Sequence, residues 1–162
     1  MVVANFNVAS GIVNTTFTVQ SSQLSFPAIT NGAAKASAEI LVTDSLNFGD
    51  RGQISLTGLE SGANSFATRF NSNSLSFVNL IPGNSYSGAA GITHNYTGMN
   101  ASFPAYDSVP SVVTNMQSEF SFTLSKFDHA GGTSFFEIIP APGTAVLLGL
   151  GGLTVSRRRR IR

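Results

Sequence analysis

The residues in this chain that could do chemistry are few and scattered. The two histidines are His94 in GITHNYTG and His129 in KFDHAGG. Asp128 precedes His129, but neighbours on a strand point to opposite faces, so the pair does not form a proton relay by adjacency. Serine is abundant, yet no G-x-S-x-G elbow is present to hold a nucleophile. Glu39, Glu60, Glu119 and Glu137 are the acids from which a glycosidase would need two in one cleft, and spacing alone does not pair them. Asp44, Asn47 and Asp50 offer oxygen ligands within TDSLNFGD, but their spacing is not that of an EF-hand loop, and Asn and Asp serve turns equally well. Cysteine is absent, which removes disulfides, zinc–thiolate sites and thiol nucleophiles. No catalytic residue, cofactor or metal site is therefore expected. The remaining chemistry is recognition. Tyr86, Tyr96 and Tyr106 are the only tyrosines, and they fall in one region with Asn84, His94, Asn95 and Asn100. Aromatic faces beside amides suit a sugar-binding edge, and the same rings suit capping a sheet with their hydroxyls in water.

Composition says what must position these groups. Charged residues make up 10% of the 162, against about 25% in ordinary soluble domains. Polarity comes instead from 22 Ser, 14 Thr and 13 Asn, with 16 Gly and 13 Phe and no Trp. That mixture suits turns, solvent-facing strand positions and an aromatic sheet core. The net charge of +1 conceals a division: Arg157, Arg158, Arg159, Arg160 and Arg162 carry five of the nine positive charges. The preceding residues hold only Lys35, Arg51, Arg69 and Lys126 against eight acids. A weakly acidic body argues against a nucleic-acid partner, which needs a basic face.

Alternation of apolar and polar residues predicts strands through most of the chain. Val13, Thr15, Phe17 and Val19 share one face, and Leu24, Phe26 and Ala28 repeat the pattern. Ala36–Thr43 reads as a strand whose first residues are compatible with helix. Further strands are expected around Ile54–Gly58, Phe66–Phe70, Leu75–Ile81, within Ser85–Gly98, at Glu119–Phe127 and at Gly131–Pro140. Asn100–Ser111 holds two prolines and suits a loop or an edge. The sum is nine or ten short strands: an all-β, antiparallel β-sandwich or jelly-roll-like domain over residues 1–139. A short C-terminal apolar helix follows it.

Residues 140–162 differ from the rest. Pro140, Ala141 and Pro142 open the segment, and Thr144 can cap a helix through Val155 that includes Val146, Leu147, Leu148, Leu150 and Leu153. Twelve helical residues span about 18 Å, short of the ~30 Å hydrocarbon core of a bilayer. The arginine cluster follows directly, and positive charge beside an apolar helix marks the cytoplasmic side. Proline motif, short Leu/Gly-rich helix and terminal arginines together resemble the PEP-CTERM sorting signal of Gram-negative surface proteins, with Ala141 where the family carries Glu. The resemblance covers the tail alone. It implies export, transient anchoring in the inner membrane, processing near Pro140–Pro142 by an exosortase-like enzyme, and a final place at the cell surface or in the extracellular matrix of a biofilm. The opening residues, MVVANFNVASG, do not have the basic and long apolar regions of a signal peptide.

The chain is thus expected to be a non-enzymatic exported protein with a structural or adhesive role. Alternatives are an exopolysaccharide-binding module, or a self-assembling subunit that packs its apolar tail between chains.

Overall fold

The computed structural model describes residues 1–45, 52–71, 75–87, 91–100 and 106–141, with only the backbone of Met99 and Asn100. Twelve strands lie among them: β1 (Val2–Ala9), β2 (Thr15–Gln20), β3 (Leu24–Ile29), β4 (Gly32–Asp44), β5 (Gln53–Gly58), β6 (Asn64–Phe70), β7 (Leu75–Pro82), β8 (Asn84–Ser87), β9 (Thr93–Asn100), β10 (Asp107–Ser108), β11 (Val113–Leu124) and β12 (Asp128–Pro140). All the pairings are antiparallel. The expectation of an all-β antiparallel chain is met, and the expectation of uniformly short strands is corrected. β4 and β12 each run 13 residues and pair along their whole length, and β11 runs 12. The helix expected over residues 144–156 lies outside the described residues, together with Pro142, Asn47 and Asp50. The one helical element among the described residues is a 3-10 turn at Ser61–Ala63, and no described helix is long and apolar enough to cross a membrane.

The strands form two sheets. The five-stranded sheet runs β1-β12-β4, and the far side of β4 is shared by β9 and β10. The seven-stranded sheet is centred on β11. One side of β11 pairs with β3 and then β2, the other with β6 and then β5; β7 extends β6, and β8 extends β5.

The sheets face each other through complementary side-chain sizes. On β4 the alternation buries Ala34, Ala36, Ala38, Ile40 and Val42, so a stretch with alanine's helical propensity is held extended by the period-two burial of its small side chains. On β12 the inward residues include Ala130, Gly132, Ser134 and Phe136. The opposing sheet supplies the volume: Phe66, Phe120 and Phe122 are fully buried. Each such ring contributes roughly 2–3 kcal/mol by leaving water. Phe6 of β1 crosses the interface, 4.9 Å from the Phe120 ring and 5.5 Å from Phe122. It reaches them by lying over Gly132, its register partner on β12. A β-carbon at 132 would stand 2.4 Å from Phe6 Cε1 and 2.8 Å from the Glu39 carbonyl oxygen.

A polar network closes one end of the core. Ser10 Oγ donates to the Asp128 and Ser125 carbonyls and accepts from the Asp128 N–H at 2.9 Å. The Ser125 hydroxyl donates to the Asp128 carboxylate and accepts from the Ser55 N–H at 2.6 Å. The network ties β1 and β12 of one sheet to β5 of the other.

Gly132→Ala is expected to cost about 2 kcal/mol, because the ring of Phe6 must leave its contacts with Phe120 and Phe122. The melting temperature should fall by about 4–8 °C. An unchanged melting temperature would show that the ring is not held over that glycine.

Candidate functional site

Among the described residues, the outward face of the five-stranded sheet presents a continuous surface of polar rows. Period-two alternation sends every second residue of four adjacent strands to this face, and the register lines them up in rows across the sheet. One row is Asn5, Thr133, Glu39 and Thr97. The row beside it includes Val3, Phe135 and Ser37, and the row on the other side Asn7, Gly131, Leu41 and Asn95. A groove of about 530 Å³ lies across these rows, lined by Val3, Ser37, Glu39, Thr97, Thr133 and Phe135 among others. It combines two apolar groups with three hydroxyls and one carboxylate. Glu39 Oε1 accepts from Asn95 Nδ2 at 2.7 Å, which holds that carboxylate along the sheet.

At one end of this face stands a charged and aromatic cluster. Tyr106 donates to Glu137 Oε2 at 2.8 Å, and Lys35 Nζ lies 3.5 Å from the same oxygen. The ammonium also sits 4.7 Å from the Tyr106 ring centroid and 5.5 Å from that of Phe135. Its pKa is raised, first by the hydrogen bond with Tyr106 and then by the nearby carboxylate.

The other two tyrosines lie elsewhere, so the three expected to form one binding edge are divided. Tyr86 on β8 and Tyr96 on β9 meet through His94, where the edge of one sheet passes the edge of the other. The Tyr86 and His94 rings are 3.8 Å apart, and His94 and Tyr96 are 6.3 Å apart. Burial raises the Tyr96 pKa, and the Asp128 carboxylate adds to the effect. A second groove, of about 280 Å³, passes between Asn84 and Tyr96. Thr97 lines both grooves, so the polar surface continues around β9 from the sheet face to the aromatic cluster. Asn95 turns outward beside Thr97, and the side chain of Asn100 lies outside the described residues.

The remaining chemical candidates have local partners. Asp128 is buried and held by Ser125, while His129 is exposed on the opposite face of β12. Glu60 and Glu119 do come together, but around Arg69: its Nε donates to Glu119 Oε2 at 2.9 Å and its Nη2 to Glu60 Oε2. Sequence spacing misses this triad because Arg69 and Glu119 are 50 residues apart and meet only when β6 pairs with β11. Burial raises the Glu60 pKa above the ordinary glutamate value, Arg69 opposes that rise, and Glu119 adds to it. Asp44 is buried, with Oδ2 accepting from the Gly91 N–H at 3.2 Å. Among the described residues no three His, Asp or Glu side chains converge as a metal site. The chain matches no protein-family model, no curated protein and no solved structure.

Arg69→Met should destabilise the fold by about 3 kcal/mol at neutral pH, because two largely buried carboxylates lose their shared cation. The raised Glu60 pKa sets the sign of the pH dependence. The folded state holds that proton more tightly than the unfolded chain, so stability rises as pH falls from the folded pKa toward the ordinary glutamate range. Removing Arg69 takes away the contribution that opposes this rise, so protonation recovers more stability in the variant than in the parent, and their denaturant melts should converge on acidification. A deficit independent of pH would contradict this account of the triad.

Proposed function

We propose that this chain is an exported bacterial surface or extracellular-matrix protein with a non-catalytic, structural or adhesive role. Its β domain is the mature unit, and residues 140–162 are a sorting segment that anchors transiently in the inner membrane. The observation that carries the reading is the position of the last strand. β12 ends at Pro140, and the Ala141 N–H bonds to the Asn31 carbonyl at 3.0 Å. Every described strand ends before Pro142, so processing at the Pro140–Pro142 motif would leave every described strand pairing intact. The tail itself contributes the proline motif, the apolar run Thr144–Val155 and the arginines Arg157–Arg160 and Arg162. An exosortase-like enzyme is the partner this reading requires.

The non-catalytic part of the reading is supported by how the acids are engaged. Arg69 bridges Glu60 and Glu119, Lys35 and Tyr106 hold Glu137, and Asn95 holds Glu39. The second reading, an exopolysaccharide-binding module, is favoured by one feature: two grooves joined at Thr97, with neutral hydroxyls and amides beside Phe135 and Tyr96. Such groups match the hydroxyls and C–H faces of a neutral sugar chain.

The test replaces Arg157–Arg160 by Asn in the full-length gene and follows surface exposure by protease accessibility of whole cells. The sorting reading predicts that the parent is surface-accessible and that the variant loses most of that exposure while the domain still folds. Equal exposure of both would contradict it.

A further inference from the structure

β1 forms a free edge of the five-stranded sheet. Its partner among the described residues is β12, and all eight residues Val2–Ala9 pair in unbroken register. The Ser10 N–H extends this register by bonding the Asp128 carbonyl at 2.9 Å. Antiparallel alternation then directs the backbone groups of Ala4, Phe6 and Val8 toward β12 and turns those of Val3, Asn5, Asn7 and Ala9 outward. A row of outward N–H and C=O groups is a template for another strand, and proteins usually blunt it with Lys, Pro, a bulge or shortness. β1 has none of these devices. Most other described edges have them: β3 contains Pro27, β7 contains Pro82 and a register shift, β8 has four residues and β10 two, while β2 has none but is two residues shorter than β1. β9 is long, but it packs closely on β7: a β-carbon at Gly98 would stand 2.9 Å from Leu80 Cβ.

The sequence of β1 is close to a palindrome. Val3-Ala4-Asn5-Phe6-Asn7-Val8-Ala9 reads, about Phe6, as amide facing amide and small aliphatic facing small aliphatic. We propose that β1 pairs antiparallel with β1 of a second copy of this chain, about a two-fold axis at Phe6. In that register Asn5 of one copy stands opposite Asn7 of the other on the outward face. Val3 stands opposite Ala9, and on the inward face Ala4 stands opposite Val8. Each of these residue types meets its own kind, as an isologous contact requires. The outward backbone groups of Val3, Asn5, Asn7 and Ala9 fall in the hydrogen-bonded pairs. The same axis brings Met1 of one copy to the Gly11–Ile12 end of the other. Ile12, Met1 and Val13 are the three most exposed large apolar side chains among the described residues, at 78%, 63% and 63%. Pairing joins two five-stranded sheets into one and doubles the outward face that carries the groove.

The proposal does not rest on the sorting reading, because its test uses the purified full chain. Sedimentation velocity over a concentration series is expected to show a monomer–dimer equilibrium. Hydrogen exchange should show protection of Val3, Asn5, Asn7 and Ala9 that increases with protein concentration. N5K/N7K sets lysine opposite lysine at both amide pairs and should weaken the dimer by about tenfold or more. N5K/N7E sets lysine opposite glutamate in the Phe6-centred register and should restore it. Both positions are exposed, so circular dichroism and melting should stay close to the parent. A chain monomeric throughout would overturn the proposal. Association that N5K/N7K leaves undiminished would assign it to the apolar tail or another face, and N5K/N7E as weak as N5K/N7K would exclude this register.

Discussion

The space above Gly132 is the constraint on which the rest of the structure depends. Phe6 can reach across to Phe120 and Phe122 only because its register partner on β12 has no side chain. The same logic extends over the inner face of that sheet, where Ala34, Ala36, Ala38 and Ala130 leave room for phenylalanines from the other. One sheet supplies flatness and the other supplies volume. Close packing of this kind tolerates little change in either. It also explains how a chain without tryptophan or disulfides builds a core.

Packing the inner face in this way leaves the outer face of the five-stranded sheet open to the solvent. Small inward residues alternate with outward Asn, Thr, Ser and Glu, so the strands that carry the core also carry the groove. Regular pairing along β4 and β12 sets the rows of that face, and the edges decide where they stop. On one side the rows turn past Thr97 toward His94, Tyr86 and Tyr96; on the other they end at β1, whose backbone groups remain outward.

Much of this was legible in the sequence, for a local reason. Period-two alternation is visible without tertiary context, and it marks β2, β3, β5 and β11 directly. It also foretells that Asp128 and His129 diverge. What was illegible depends on strand order. The three tyrosines are close in sequence, yet Tyr86 belongs to one sheet and Tyr96 to the other, and Tyr106 meets Lys35 and Glu137 at the far end of β4 and β12. The Glu60–Arg69–Glu119 triad exists only through the pairing of β6 with β11. The full length of β4 was obscured because alanine favours helix in isolation, and only burial between β12 and β9 holds it extended. The near-palindrome in β1 is readable in the letters, but it gains meaning only once β1 is known to be an edge.

The central proposal is that the described strands, which end at Pro140, make up the mature domain and that the segment after them serves delivery. The most direct measurement is the intact mass of the surface-exposed protein recovered from cells expressing the full-length gene. The account predicts a product ending between Pro140 and Gly143, without the arginines and still folded as judged by circular dichroism. A surface form that retains Arg162 would contradict it.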